Sequence, residues 1–231
     1  MKFPDAHPVV LGTVTTAAGL RRLSRKTLPA DAVEVRLDAL LANQVPIEKI
    51  EAALRAKKHP VLLTLRIPAE GGQRAWTMKE RRDLFLRLLP EVEAIDVELA
   101  TMRAMRPVIE EARRMGKTVV LSAHAISKPA SPAQIARWVA RFDPLPSTML
   151  KIAARIESWR DLQQLAGLLV NHPERPIAVM GLGPYAAQSR AVLAALGSRL
   201  VYGHLDQPAA AGQPSAAAVR KMVLAVRNLE G

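Results

Sequence analysis

Eight short apolar runs alternate with eight amphipathic stretches along this chain, and that alternation limits the fold more than any other feature. The runs cover residues 9–15, 33–40, 60–66, 95–99, 118–124, 149–154, 176–182 and 200–204. The intervening stretches, 18–28, 46–58, 78–92, 102–115, 132–142, 158–170, 186–196 and 215–229, carry apolar residues at helical spacing. Nearly continuous apolar character suits parallel strands covered on both faces. Helix punctuation agrees: Ser131 and Pro132 open one stretch, and Gly116 follows the end of another. Eight βα units in 231 residues predict a (β/α)8 TIM barrel, a single domain over residues 1–231. A doubly wound sheet has the same alternation, so counting strands leaves it open.

Composition narrows the chemistry. With 49% hydrophobic residues the chain can bury a sizeable core, and with no cysteine it has neither disulfide, thiolate metal site nor thiol nucleophile. No run reaches the ~18 apolar residues of a membrane span, and residues 1–7 lack a signal peptide's apolar segment, so a soluble cytoplasmic protein without a membrane partner is expected. The net charge of +12 raises nucleic acid as a partner, but the cations are dispersed among acidic residues on helical faces. At 3% aromatic, the chain is also poorly supplied for base stacking, and nucleic acid is not the expected partner.

The polar residues within the apolar runs point to a site. Lys151 lies in the run 147–154, which reads as the inside of a sheet. Burial disfavours an ammonium, and a lysine made neutral is a nucleophile towards carbonyls, able to form a Schiff base. Alone, Lys151 reads more readily as a strand-end lysine reaching solvent than as a nucleophile. Thr13, Arg36, Asp38, Arg66, Glu98 and His124 fall at or near the ends of other runs. In a barrel those ends converge on one mouth, where active sites are built. Packing explains a single such residue, but not one on each of six strands.

The ordered set Glu34, Arg36 and Asp38; Arg66, Glu70, Gly71 and Gly72; Asp96 and Glu98; Ser122 and His124; Lys151; Met180 and Gly181; Ser189 and Arg190; Gly212 and Gln213 resembles the type I 3-dehydroquinate dehydratases over about residues 9–213. The resemblance implies a (β/α)8 barrel, often a homodimer, that uses no metal or organic cofactor and dehydrates a cyclic keto acid of the shikimate pathway through an imine. It implies Lys151 as the Schiff-base lysine, His124 as the general acid/base and Glu70 as the carboxylate orienting this histidine. Glu34, Arg36, Arg66, Arg190 and Gln213 match substrate-contacting positions, with Thr13 a looser match. Asp96 and Glu98 read as structural or supporting.

These residue types suit that chemistry. An iminium at Lys151 is an electron sink for the carbanion formed beside the carbonyl. A histidine titrating near working pH can take that proton and return one to the departing hydroxyl. Arginines offer paired donors to a carboxylate.

The chain departs from the family at Ala125 and Ile126 after the histidine, where Asp-Phe is usual, at Arg155 and Ile156, where Met-Pro is common, and at Ala209, where a loop serine is typical. Gln207 is the only polar side chain in residues 207–211. Two alternatives therefore stand beside the dehydratase: an aldolase-like barrel with a different carbonyl substrate, and a non-catalytic ligand-binding paralogue.

Overall fold

Strand alternation sorts each run into an inner and an outer face. The computed structural model describes residues 8–142, 147–210 and 212–227. Its strands are β1 Val9–Val14, β2 Ala32–Arg36, β3 Val61–Thr64, β4 Ala94–Glu98, β5 Thr118–Ala125, β6 Thr148–Arg155, β7 Ile177–Leu182 and β8 Leu200–His204. Its helices are α1 Ala17–Leu20, α2 Leu37–Ala42, α3 Ile47–Arg55, α4 Met78–Leu88, α5 Arg106–Arg114, α6 Pro132–Arg141, α7 Trp159–Val170, α8 Ala186–Ala195 and α9 Ala216–Arg227. All strand pairs are parallel, in the order β7-β6-β5-β4-β3-β2-β1-β8. Sequential order with β8 beside β1 is that of a (β/α)8 barrel and excludes the doubly wound alternative.

The barrel closes between β7 and β8 through side chains more than through a ladder. Arg199 N–H donates to Ile177 O at 3.0 Å. Ser198 Oγ accepts from Val179 N–H at 2.9 Å, filling a backbone position in the seam. The interior is graded along its axis. Val9, Leu11, Ala32, Leu62, Ala94, Val120, Met149, Ala178 and Leu200 form an apolar inner cluster towards the strand starts. Two residues further along several strands the inward positions become Thr13, Glu34, Thr64, Asp96, Ser122 and Lys151. A larger apolar core fills the space between sheet and helices.

Helix boundaries follow local chemistry. Ser131 accepts from Gln134 N–H and caps α6, while Gly116, at φ +67°, follows α5, as expected. The stretch 18–28 is helical only to residue 24: Arg25 takes extended backbone at ψ 143°, and Pro29 disfavours helical geometry at Leu28. The stretch 102–115 becomes helical at Arg106, with Pro107 in its first turn, where its missing N–H costs nothing. The expected second strand ends at Arg36. Asp38 therefore stands in the first turn of α2, where a carboxylate complements the helix dipole. Residues 1–7, and 228 and 229 of the expected last helix, lie outside the described residues, as does Ala211. No helix among the described residues is long and apolar enough to cross a membrane.

Candidate active site

Lys151 is only 3% exposed, and its Nζ donates to Asp96 Oδ2 at 2.9 Å. Glu34 Oε1 lies 3.7 Å from the same nitrogen, which also stands 4.4 Å from the centre of the Tyr202 ring. The expected burial is present, but the lysine is not an isolated desolvated amine. Two carboxylates and an aromatic face surround a positive charge.

Asp96 also serves Arg66. Its Oδ1 accepts from Ser122 Oγ at 2.6 Å and pairs with Arg66 Nη2 at 2.9 Å. Arg66 Nη1 donates to Ser122 Oγ at 2.7 Å and to Glu98 Oε1 at 3.2 Å. Glu98 Oε1 in turn accepts from Ile67 N–H at 3.0 Å, and Oε2 accepts from Arg81 Nη2 at 2.5 Å. Burial alone pushes the Asp96 carboxyl up, but Arg66 and Lys151 together hold it well below the usual carboxylate range. Asp96 thus remains ionised and holds the cation at Lys151. Its direct contact with the lysine goes beyond the supporting role read from the sequence.

His124, near the end of β5, pairs through Nδ1 with Glu70 Oε2 at 2.7 Å. The turn carrying Glu70 is tightly built: Glu70 and Gly72 N–H groups both donate to Ile67 O, at 3.0 and 2.9 Å. Gly71 has φ +92°, and a Cβ on Gly72 would lie 2.0 Å from Arg66 O, so this turn needs both glycines. Burial, then Arg66 and Lys151, push His124 well below its usual value. Burial also pushes Glu70 up, to about 7. The imidazole is therefore neutral near neutral pH. When Glu70 is ionised, Nδ1 donates to it and the lone pair of Nε2 is left for a substrate.

The same cavity, about 580 Å³ including its open mouth, is lined by Glu34, Arg36, Arg66, Glu70, His124, Lys151, Arg190 and Gln213. Met180, Tyr202, Ala209 and Ala210 complete much of its wall. Thr13 lies behind Glu34, donating to Glu34 Oε2 at 3.0 Å, while Thr64 donates to Oε1 at 2.9 Å. Arg36 is clamped by Asp38 through bonds of 2.9 and 2.8 Å. Gln213 fastens the loop after β8: Oε1 accepts from Ala209 N–H at 2.7 Å, and Nε2 donates to Thr13 Oγ1 at 3.3 Å.

Arg190 differs from the other cations on this wall. It donates to backbone oxygens, from Nε to Tyr202 O at 2.8 Å and from Nη1 to Gly181 O at 3.1 Å, thereby bridging the β7–β8 seam. No carboxylate pairs with it among the described residues, and burial pushes it down to about 10. A buried cation with no counter-ion, open to a cavity, favours an anionic group there. Tyr202 carries no sequence signal beyond the alternation Leu200, Tyr202, His204 on β8, which places it inward.

Fold and site together define a (β/α)8-barrel enzyme with a buried lysine and a carboxylate-bound histidine at the mouth. The family model for type I 3-dehydroquinase matches residues 8–229. The 3-dehydroquinate dehydratase of Methanosarcina acetivorans is 32% identical over 206 residues, covering 84% of each chain. That of Enterococcus faecalis is 28% identical over 207 residues, covering 84% of this chain and 81% of the relative. A structure of the Clostridium difficile type I enzyme with covalently modified comenic acid superposes with TM-score 0.83 at 22% identity, covering 97% of this chain and 94% of that one. The Geobacillus kaustophilus enzyme does so with TM-score 0.85 at 21% identity, covering 97% and 93%. The chain belongs to the type I 3-dehydroquinase family.

Proposed function

We propose that this protein is a 3-dehydroquinate dehydratase that eliminates water from 3-dehydroquinate through an imine at Lys151. The observation that carries the mechanism is that Lys151 and the His124–Glu70 pair line one cavity with Arg190. The Lys151 ammonium and the substrate ketone condense to an iminium and one water, with no net change in charge. His124, neutral, takes the proton from the carbon beside the iminium, and the C–H electrons form an enamine. The enamine electrons then expel the hydroxyl one carbon further on, and imidazolium donates the proton that makes it water. A water molecule hydrolyses the conjugated iminium, releasing 3-dehydroshikimate and restoring the ammonium. The sum is loss of one water from the substrate.

Arg190 supplies charge for the substrate carboxylate, with Arg36, Arg66, Glu34 and Gln213 shaping the wall and Thr13 supporting Glu34. Homodimeric assembly, carried over from the family resemblance, and a cytoplasmic location, expected from the sequence, belong to the same proposal. Formation of the conjugated enone, followed by ultraviolet absorbance, tests the reaction. Borohydride with 3-dehydroquinate should attach the ligand to Lys151 by mass spectrometry. An adduct at Lys58 or Lys117, or none, overturns the mechanism. An adduct without enone favours the aldolase-like alternative, and binding with neither favours the non-catalytic one.

A further inference from the structure

Tyr202 projects from β8 into the barrel, is 2% exposed, and turns its ring face to Lys151 on β6, with Nζ 4.4 Å from the ring centroid. Its phenol oxygen is buried without a hydrogen-bond partner among the described residues. Burial, followed by the negative Glu34 and Asp96, pushes the phenol well above its usual value. The hydroxyl therefore stays neutral, and what this side chain offers the lysine is an aromatic face.

We infer that Tyr202 is a positioning residue that, with Asp96, keeps the nitrogen of the Lys151 adduct protonated. The inference rests on the imine reading above. Only the protonated adduct withdraws electrons strongly enough to acidify the neighbouring C–H bond, and loss of that proton would stall the reaction after condensation. The groups facing this nitrogen do not secure it by charge alone. Asp96 on β4 attracts it but shares its other oxygen with Arg66 after β3, and Glu34 on β2 is more distant, at 3.7 Å. Arg66, Arg36 on β2 and Arg190 on α8 bring positive charge to the same cavity. Glu70 after β3, raised to about 7, titrates against His124, and His124 on β5 is neutral. A further carboxylate would attract the cation but could also accept its proton. An aromatic face attracts the cation and has no such basicity. The iminium charge, spread over nitrogen and carbon, is also less hydrated than an ammonium, which favours contact with a ring.

Full-length wild type, Tyr202→Phe and Tyr202→Leu would be compared by kcat against pH and by borohydride trapping with 3-dehydroquinate across the same pH range. The kcat profile reports groups in the substrate complex, and borohydride captures the protonated imine. Tyr202→Phe should keep both profiles, because the ring remains. Tyr202→Leu should move the alkaline limb of both profiles down by about one pH unit, equivalent to about tenfold in the protonated adduct. An unchanged alkaline limb in an active Tyr202→Leu protein overturns the inference, as does a Phe variant that shifts as far as Leu. If Tyr202→Leu does not fold, 3,5-difluorophenylalanine at position 202 keeps the volume while withdrawing charge from the ring face. Its alkaline limb should fall below that of Tyr202→Phe, and equality overturns the inference. Wild type that gives no trapped adduct at any pH refutes the imine reading instead.

Discussion

The Nζ of Lys151 lies 2.9 Å from Asp96 Oδ2, while the other oxygen of that carboxylate lies 2.9 Å from Arg66. One ionised aspartate thus sits between two buried cations, and the chain stores the positive charge of its proposed nucleophile against a fixed counter-ion.

Asp96→Ala should therefore destabilise the protein by about 3–5 kcal/mol, the usual cost of leaving a buried charge without its partner. Asp96→Asn should cost less, since it preserves volume and some hydrogen bonding. The native carboxyl is held down, so its contribution is present above the unfolded value of ~3.9 and is lost as pH falls through the lower folded value. Urea unfolding at pH 7 and at about pH 2, below the unfolded value, measures both effects. Equal stability of wild type and Asp96→Ala at pH 7 would refute the counter-ion role.

Glu70 and His124 should oppose each other in the pH dependence of stability. Glu70 is raised to about 7 in the folded state, so its contribution is present below the unfolded ~4.3 and is lost as pH rises towards 7. His124 is lowered, so the unfolded state binds the extra proton below ~6.5, and stability rises with pH towards that value. The two slopes offset one another over the shared range. Glu70→Gln removes the falling component, so thermal melts of that variant should rise more steeply between pH 5 and about 6.5 than those of wild type. Parallel melting curves would contradict the assignment.

His124→Ala should lower turnover by ~10²-fold or more, within the range for loss of a general acid/base. Imine formation should partly survive, because the attacking nitrogen belongs to Lys151. Paired turnover and borohydride-trapping assays separate the two steps. Turnover near wild type would remove His124 from the mechanism.

Ala209 presents a methyl to the cavity where the resemblance leads one to expect a serine, and its N–H is held by Gln213 at 2.7 Å. A neutral hydrogen bond contributes a net ~0.5–1.5 kcal/mol. That corresponds to a few-fold to about tenfold in affinity. Ala209→Ser should raise kcat/KM by up to about tenfold, mainly through KM, in steady-state kinetics. No improvement would mean that the added hydroxyl does not reach the bound ring.

The eight-fold alternation and the polar ends of its apolar runs were readable because both arise from local spacing. Inward placement of Lys151 and His124 follows from strand alternation once a barrel is assumed. Asp38 was harder to place, because helix α2 begins directly after β2, and an acidic first turn competes with continued strand. Tyr202 is one aromatic among apolar neighbours in the sequence, and its relation to Lys151 exists only across the barrel interior.

The sequence by itself determined the order of strands and helices, the apolar layers that bury them, and the types of ionisable group available at the strand ends. Tertiary structure decided how those groups share their charges. Asp96 is divided between Lys151 and Arg66, Glu70 is brought to His124 across 54 positions, and Arg190 is set on backbone oxygens at the β7–β8 seam. The physical reason is range. Periodicity and capping act between residues a few positions apart, whereas electrostatic pairing in a buried site depends on ångström-scale distances between strands far apart in sequence.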